Sequence, residues 1–202
     1  MSVSLRNPAE VMNDKNKPAI CVFCGSSHGS SPRYAAAARA LGRLIAERGF
    51  SLVFGGGGPG LMGETARAVR EGGAAVAGVL PNFLRWVEIP PEWEKDLIIT
   101  PDLQERKTRM LAMADAFVVL PGGAGTMDEF FEVVTSASLG ILAKPILVVN
   151  IEGFFDPLER LMDHIVREGF ARPKIHDLYR FVATPEEAID AIASALGLKP
   201  RG

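Results

Sequence analysis

Short apolar runs of four to six residues alternate along the chain with longer segments of helical period. The runs AICVFC (19–24), SLVF (51–54), AVAGVL (75–80), LIIT (97–100), AFVVL (116–120), PILVVN (145–150) and RFVA (180–183) read as strands. Residues 32–49, 61–73, 101–115, 156–170 and 184–196 read as helices, as does a segment running from the loop after Leu120 to about Leu139. Punctuation supports these bounds. Pro32 falls in a first turn, and Gly49, Gly72 with Gly73, and Gly169 end three of the helices. Thr184 is placed to cap the last helix and Pro185 to occupy its first position. Strands that are apolar on both faces belong in a sheet covered on both sides. With right-handed crossovers the expectation is an α/β fold: a Rossmann-like, doubly wound, mostly parallel sheet with helices on both faces. Residues 1–18 form a polar lead-in without the apolar core of a secretory signal, and 19–202 read as a single domain.

Composition narrows the partners. The chain has 202 residues, of which 48% are hydrophobic and 23% charged, as in an ordinary globular domain. A net charge of −2 argues against a nucleic-acid scaffold or an anionic membrane surface. No apolar stretch is long enough for a membrane helix. Cys21 and Cys24 form a C-x-x-C, a spacing that invites redox chemistry. They lie in a strand expected to be buried, where a thiol packs as a small hydrophobe, and no second pair completes a zinc site. This usage fits a reducing cytoplasm.

Ligands of such sheets sit at the carboxyl ends of the strands. Three loops there carry unusual composition: CGSSHGSSP, FGGGGPGLMG and PGGAGT. The second contains G-x-G-x-x-G as Gly58, Gly60 and Gly63, between a strand and a helix. A dinucleotide site would place it after the first strand and an acid at the end of the next one. Here it follows the second strand, the next ends in PNF, and the nearest acid, Glu88, lies in a loop. Glycines nevertheless let backbone N–H groups approach an anion, and four in a row exceed the needs of a tight turn, so this loop is expected to touch substrate. PGGAGT is a second cradle of the same kind. Thr126 either caps the following helix or offers its hydroxyl to a phosphate. Asp128 and Glu129 both fall in the first turn, where carboxylates are favoured, and spacing does not choose between them. The basic stretch ERKTR (105–109) is either a solvated helix face or lies over the same mouth. His28 sits in a loop placed where it can face the expected ligand, whereas His164 and His176 carry no assigned role.

The ordered motifs CVFCGSS, GGGGPGLMG, ERKTRMLAMADAFVVLPGGAGTMDEFFEV and KPILVVNIEGFFDPL resemble the LOG ("Lonely Guy") family across nearly the whole chain. These are cytokinin riboside 5′-monophosphate phosphoribohydrolases, many of them labelled lysine decarboxylase-like. PGGAGTMDE matches the family's PGGxGTxxE. The resemblance implies Arg106 and Glu129 as catalytic residues, and so Glu129 rather than Asp128 as the reacting acid. It implies nucleotide binding by Glu88, Lys107, Gly123, Ala124, Gly125, Thr126, Asp128 and Thr135, with Gly56, Gly57, Gly58, Gly60 and Met62 from the other glycine loop. The implied reaction hydrolyses the N-glycosidic bond of adenosine 5′-monophosphates, often N6-substituted, to a free base and ribose 5-phosphate. No metal or cofactor is implied, and the expected form is a cytoplasmic homodimer acting on a nucleotide, without nucleic-acid or membrane partners. One stretch departs from the family. Where many members read TWxQLGxHxKP, this chain reads TSASLGILAKP, with Ser136, Ser138 and Leu142 at the Trp, Gln and His positions. A proline in GGGGPG is a smaller departure. The alternatives are a non-catalytic nucleotide carrier on the same fold and the old decarboxylase label. The latter needs a Schiff-base lysine, for which only Lys107 and Lys144 come near.

Overall fold

A computed structural model describes residues 17–84 and 91–198. Seven strands pair side by side, all parallel, in the order β4-β3-β2-β1-β5-β6-β7. They are β1 (Ala19–Phe23), β2 (Ser51–Phe54), β3 (Val76–Pro81), β4 (Leu97–Thr100), β5 (Ala116–Val119), β6 (Ile146–Val149) and β7 (Arg180–Val182). Among the described residues six α-helices cover them: α1 (Pro32–Glu47), α2 (Gly60–Glu71), α3 (Leu103–Met113), α4 (Ala124–Ser138), α5 (Asp156–Arg167) and α6 (Pro185–Ala195). Each expected strand and helix is present, within a few residues at its ends. The helix expected over 101–115 starts later because the Asp102 carboxylate accepts a hydrogen bond from the Glu105 N–H, which makes Asp102 the cap. The one expected over 156–170 stops at Arg167, and Gly169 turns the chain with φ 79°. Thr184 caps α6 as expected, through the Glu187 N–H at 3.2 Å.

The apolar strands divide their side chains between two cores with period two. Ile20 and Val22 face α1, α2 and α6, packing with Leu41, Ile45, Val69 and Ile189. Cys21 and Phe23 face α3, α4 and α5, packing with Met110, Phe130, Val133 and Met162. Cys24 belongs to the first core, so the two thiols lie on opposite sides of the sheet and cannot pair. Burial raises both thiol pKa values, with the nearby Glu129 adding to the effect, so neither is an activated thiolate.

The strand order reverses at β1, which has β2 on one side and β5 on the other. A crevice opens at such a point beyond the carboxyl ends of the strands. It is bounded by the loops after β1, β2 and β5.

Candidate active site

The three loops meet at Gly25. Its N–H donates to the Pro121 carbonyl at 3.0 Å, and its carbonyl accepts from the Met62 N–H at 3.3 Å. The β5 loop and the start of α2 are therefore fixed to the same residue of the β1 loop.

The β2–α2 loop uses its glycines for close packing within the protein. Gly60 has φ 64°, and a Cβ there would run into the backbone of Ser26 and Ser27. A Cβ at Gly63 would meet the Gly58 carbonyl, and one at Gly55 the Arg106 guanidinium. Gly56 has φ 82°, a conformation that side chains other than glycine's rarely adopt. Of the four glycines expected to touch substrate, Gly56 and Gly60 thus have a reason within the protein itself, and Gly57 has only the end of the Met62 side chain beside it.

The β5–α4 loop differs. An added Cβ at Gly123 or Gly125 would meet no described atom within 4 Å, and neither residue has a positive φ. Both are exposed, and among the described residues no side chain caps α4. The free N–H groups of the first turn therefore face an open, glycine-lined approach suited to an anion. Thr126 does not cap the helix. It is the third residue of α4, 3% exposed, with its hydroxyl beneath Gly122, and Asp128 and Glu129 lie just past the first turn in which they were expected.

Beside this turn, α3 and α4 bring Arg106 and Glu129 together. Arg106 Nη1 lies 3.0 Å from Glu129 Oε1, and Arg106 Nε donates to the Val79 carbonyl at 3.1 Å. Glu129 is 6% exposed. Burial raises its pKa to about 7, outweighing the Arg106 cation beside it. A carboxyl that changes protonation near neutrality, held against a fixed guanidinium, is equipped for acid–base work and for stabilising positive charge. Asp128, the alternative acid, points elsewhere: it is exposed and pairs with Lys107 Nζ at 3.1 Å.

Residues 62–192 match the family described as possible lysine decarboxylase. The cytokinin riboside 5′-monophosphate phosphoribohydrolase LOG7 of Arabidopsis thaliana is 42% identical over 187 residues, spanning 88% of this chain and 86% of that protein. The probable cytokinin riboside 5′-monophosphate phosphoribohydrolase LOGL2 of Oryza sativa subsp. japonica is 42% identical over 173 residues, 86% of this chain and 71% of that one. The chain belongs to the LOG family.

Among solved structures, the molybdenum cofactor carrier protein from Chlamydomonas reinhardtii superposes with a TM-score of 0.68 at 23% identity, covering 90% of this chain and 99% of that one. The molybdenum cofactor binding protein of Rippkaea orientalis gives 0.67 at 21% identity, covering 91% and 99%. At that identity the likeness is one of fold.

The remaining positions expected of a LOG site are placed in four different ways. Ala124, the first residue of α4, and Met62, beside Gly55 and Gly57, lie at the mouth. Lys107 flanks it, but its amine is held by Asp128 and by Glu132, each at 3.1 Å. Thr135 is not brought there: it is exposed, nine residues beyond Thr126 and so ~13 Å further along the helix axis. Glu88 lies outside the described residues. In the departing stretch, Ser138 Oγ donates to the Thr135 carbonyl at 2.8 Å, Leu142 packs against the second core, and Leu139 and Ile141 are 68% and 76% exposed.

Sequence reasoning missed Glu64. This residue of α2 accepts hydrogen bonds from Arg39 at 2.8 Å and Arg67 at 3.0 Å, and lies 3.3 Å from His28 Nε2. Hydrogen bonding to Arg39 is the main cause of a pKa lowered to about 2. Only the Glu64–Arg67 spacing on one helix face was visible in advance. Of the basic stretch 105–109, Arg106 enters the mouth, while Arg109 pairs with Glu105 one turn back on the same helix.

Proposed function

We propose that this LOG-family protein hydrolyses the N-glycosidic bond of adenosine 5′-monophosphates, N6-substituted ones included, releasing the base and ribose 5-phosphate. The buried Arg106–Glu129 pair beside an uncapped, glycine-lined helix start is the observation that carries this reading. The 5′-phosphate lies at the N-terminus of α4, where Gly123 and Gly125 leave room for it and the first-turn N–H groups donate to it. Glu129 then faces the ribose. As a carboxylate it holds the sugar hydroxyls, stabilises the oxocarbenium-like state and orients the attacking water. Arg106 positions the nucleotide and assists departure of the base. Phosphate binding, remote from the breaking bond, holds the sugar in reactive geometry. No step calls for a metal or an organic cofactor.

The decarboxylase label fits the lysines poorly. Lys107 is committed to two carboxylates, and Lys144 Nζ donates to the Leu111 carbonyl at 2.9 Å. A homodimer and a cytoplasmic location are part of the same proposal. The exposed Leu139 and Ile141 support the first. Among the described residues no helix is long and apolar enough to cross a membrane.

The test is chromatography of products from AMP and from isopentenyladenosine monophosphate, with wild type and Glu129→Gln. Free base from wild type, reduced about a thousandfold or more in the variant, is the expected result. Tight AMP binding without release of base from wild type would instead mean a nucleotide carrier, the reading that the altered 135–142 stretch favours.

A further inference from the structure

Glu64 is separated from the reacting pair by a glycine loop, yet its contacts reach two of the three loops that form the mouth. One oxygen, Oε1, lies 3.3 Å from His28 Nε2 in the β1–α1 loop and 3.0 Å from Arg67 Nη2. The other, Oε2, accepts from Arg39 Nη1 of α1 at 2.8 Å. Arg67 extends the connection: its Nη1 reaches the Gly58 carbonyl in the middle of the β2–α2 loop at 3.4 Å. That loop in turn seats the chemistry, because Gly55 leaves the space that the Arg106 guanidinium occupies. A single carboxylate therefore links α1, α2, the β1 loop and the β2 loop. The Gly58 carbonyl also lies where a Gly63 side chain would have to go, so this loop has no slack to take up a shift on one side.

We propose that Glu64 is a positioning residue of the active site, holding the β1–α1 loop and the β2–α2 glycine loop in the shape that receives the nucleotide. This rests on the phosphoribohydrolase reading of the mouth. Glu64 touches neither substrate nor Arg106; it acts through Arg67 and His28. Loss of its charge removes the anchor that aims Arg67 at the Gly58 carbonyl and the partner that holds His28, and the loops then sample shapes that bind substrate less well.

The experiment compares wild type, Glu64→Gln, Arg67→Met and the double variant by steady-state kinetics on AMP, well below each variant's Tm. Base release by wild type in the same assay reports separately on the proposed reaction. Hydrogen exchange over 25–31 and 55–60 reports on the loops whether or not turnover occurs. The expected result is a KM raised five- to tenfold in both single variants, kcat within about threefold, faster exchange over 55–60 in both, and faster exchange over 25–31 in Glu64→Gln, which alone loses the His28 contact. The double variant is expected to be no worse than either single one, because the two residues form one connection. A lowered Tm with unchanged KM and unchanged exchange would overturn the proposal and leave Glu64 with a purely stabilising role. Additive losses in the double variant would also overturn it. If Glu64→Gln fails to fold, Arg67→Met decides the matter alone, since it leaves the Glu64–Arg39 pair in place.

Discussion

The units β2–α2 and β5–α4 share one plan: a buried strand, a glycine-rich loop, and a helix with a shielded glutamate in its second turn. They put it to different uses. In β2–α2, Gly55, Gly60 and Gly63 are required by neighbouring protein atoms, and Glu64 is encircled by Arg39, Arg67 and His28. In β5–α4, Gly123 and Gly125 face open space, and Glu129 has one guanidinium and a dry environment. The first carboxylate is held ionised down to about 2, and the second is raised to about 7. A glycine motif at a helix start therefore has two physical meanings. It allows either backbone to approach backbone or ligand to approach backbone. What an added methyl group would strike separates the two.

The largest expected contrast follows from that difference. Gly63→Ala forces a Cβ against the Gly58 carbonyl, an overpacking that costs ~1–3 kcal/mol. In a chain of this size thermal denaturation should register a Tm lower by roughly 3–10 °C. Gly125→Ala meets nothing in the protein and improves helix propensity, so its Tm should stay the same or rise slightly. Its KM for AMP should nevertheless climb about tenfold or more, because the methyl group occupies the phosphate's approach. An unchanged KM in Gly125→Ala would remove the distinction drawn between the two loops.

Acidity sharpens the contrast in a second way. Glu129 acts as a carboxylate, so kcat/KM should fall as pH drops through about 7, approaching tenfold per unit below it. The stability effect has the opposite direction. Its folded pKa lies above the usual 4.5, so the folded state binds the extra proton. Stability is then greatest below about 4.5 and is lost as pH rises through about 7. Glu129→Gln should therefore be more stable than wild type at pH 8, by up to ~2 kcal/mol, while inactive. Glu64 behaves in reverse. Its depressed pKa means that its contribution is present above about 4.5 and fades as pH falls towards about 2. Denaturation midpoints of wild type, Glu64→Gln and Glu129→Gln across pH 3–8 should show two limbs of opposite slope, each abolished by one substitution.

The sheet was legible because its strands are apolar on both faces and its last helix carries a recognisable cap at Thr184, whereas the Asp102 cap went unread and the helix it starts was expected too early. Such signals are local. Choosing Glu129 over Asp128 needed either the family motif or the structure. The two acids are adjacent on one turn, and only the direction of α4 against α3 places one at Arg106 and the other at Lys107. Glu64 was illegible for a related reason. Arg39 lies 25 residues away and His28 lies 36 away, and the packing of α1 on α2 decides that they meet. The glycine loops looked alike as sequence, since the atoms that require Gly60 and Gly63 belong to Ser26, Ser27 and Gly58.

The smallest expected effect concerns the cation on the β5–α4 side. The resemblance assigns Lys107 to the nucleotide, but its amine already bridges Asp128 and Glu132 on successive turns of α4. It stands to that helix much as Arg39 of α1 stands to α2, tying down from a neighbouring helix the segment that bears the glutamate. Two carboxylates around one ammonium leave no net positive charge to offer a phosphate. Lys107 is largely covered, but its two carboxylates keep enough solvent contact for these pairs to contribute ~0.2–1 kcal/mol each, and less at high salt. Lys107→Met should therefore lower Tm by only a few degrees and reduce kcat about threefold or less. Wild type and variant should converge as ionic strength rises. A KM for AMP raised more than tenfold would mean that Lys107 leaves its two acids to hold the nucleotide. The β5–α4 unit would then depend on substrate for its final arrangement, as β2–α2, closed on its own glycines and cations, does not.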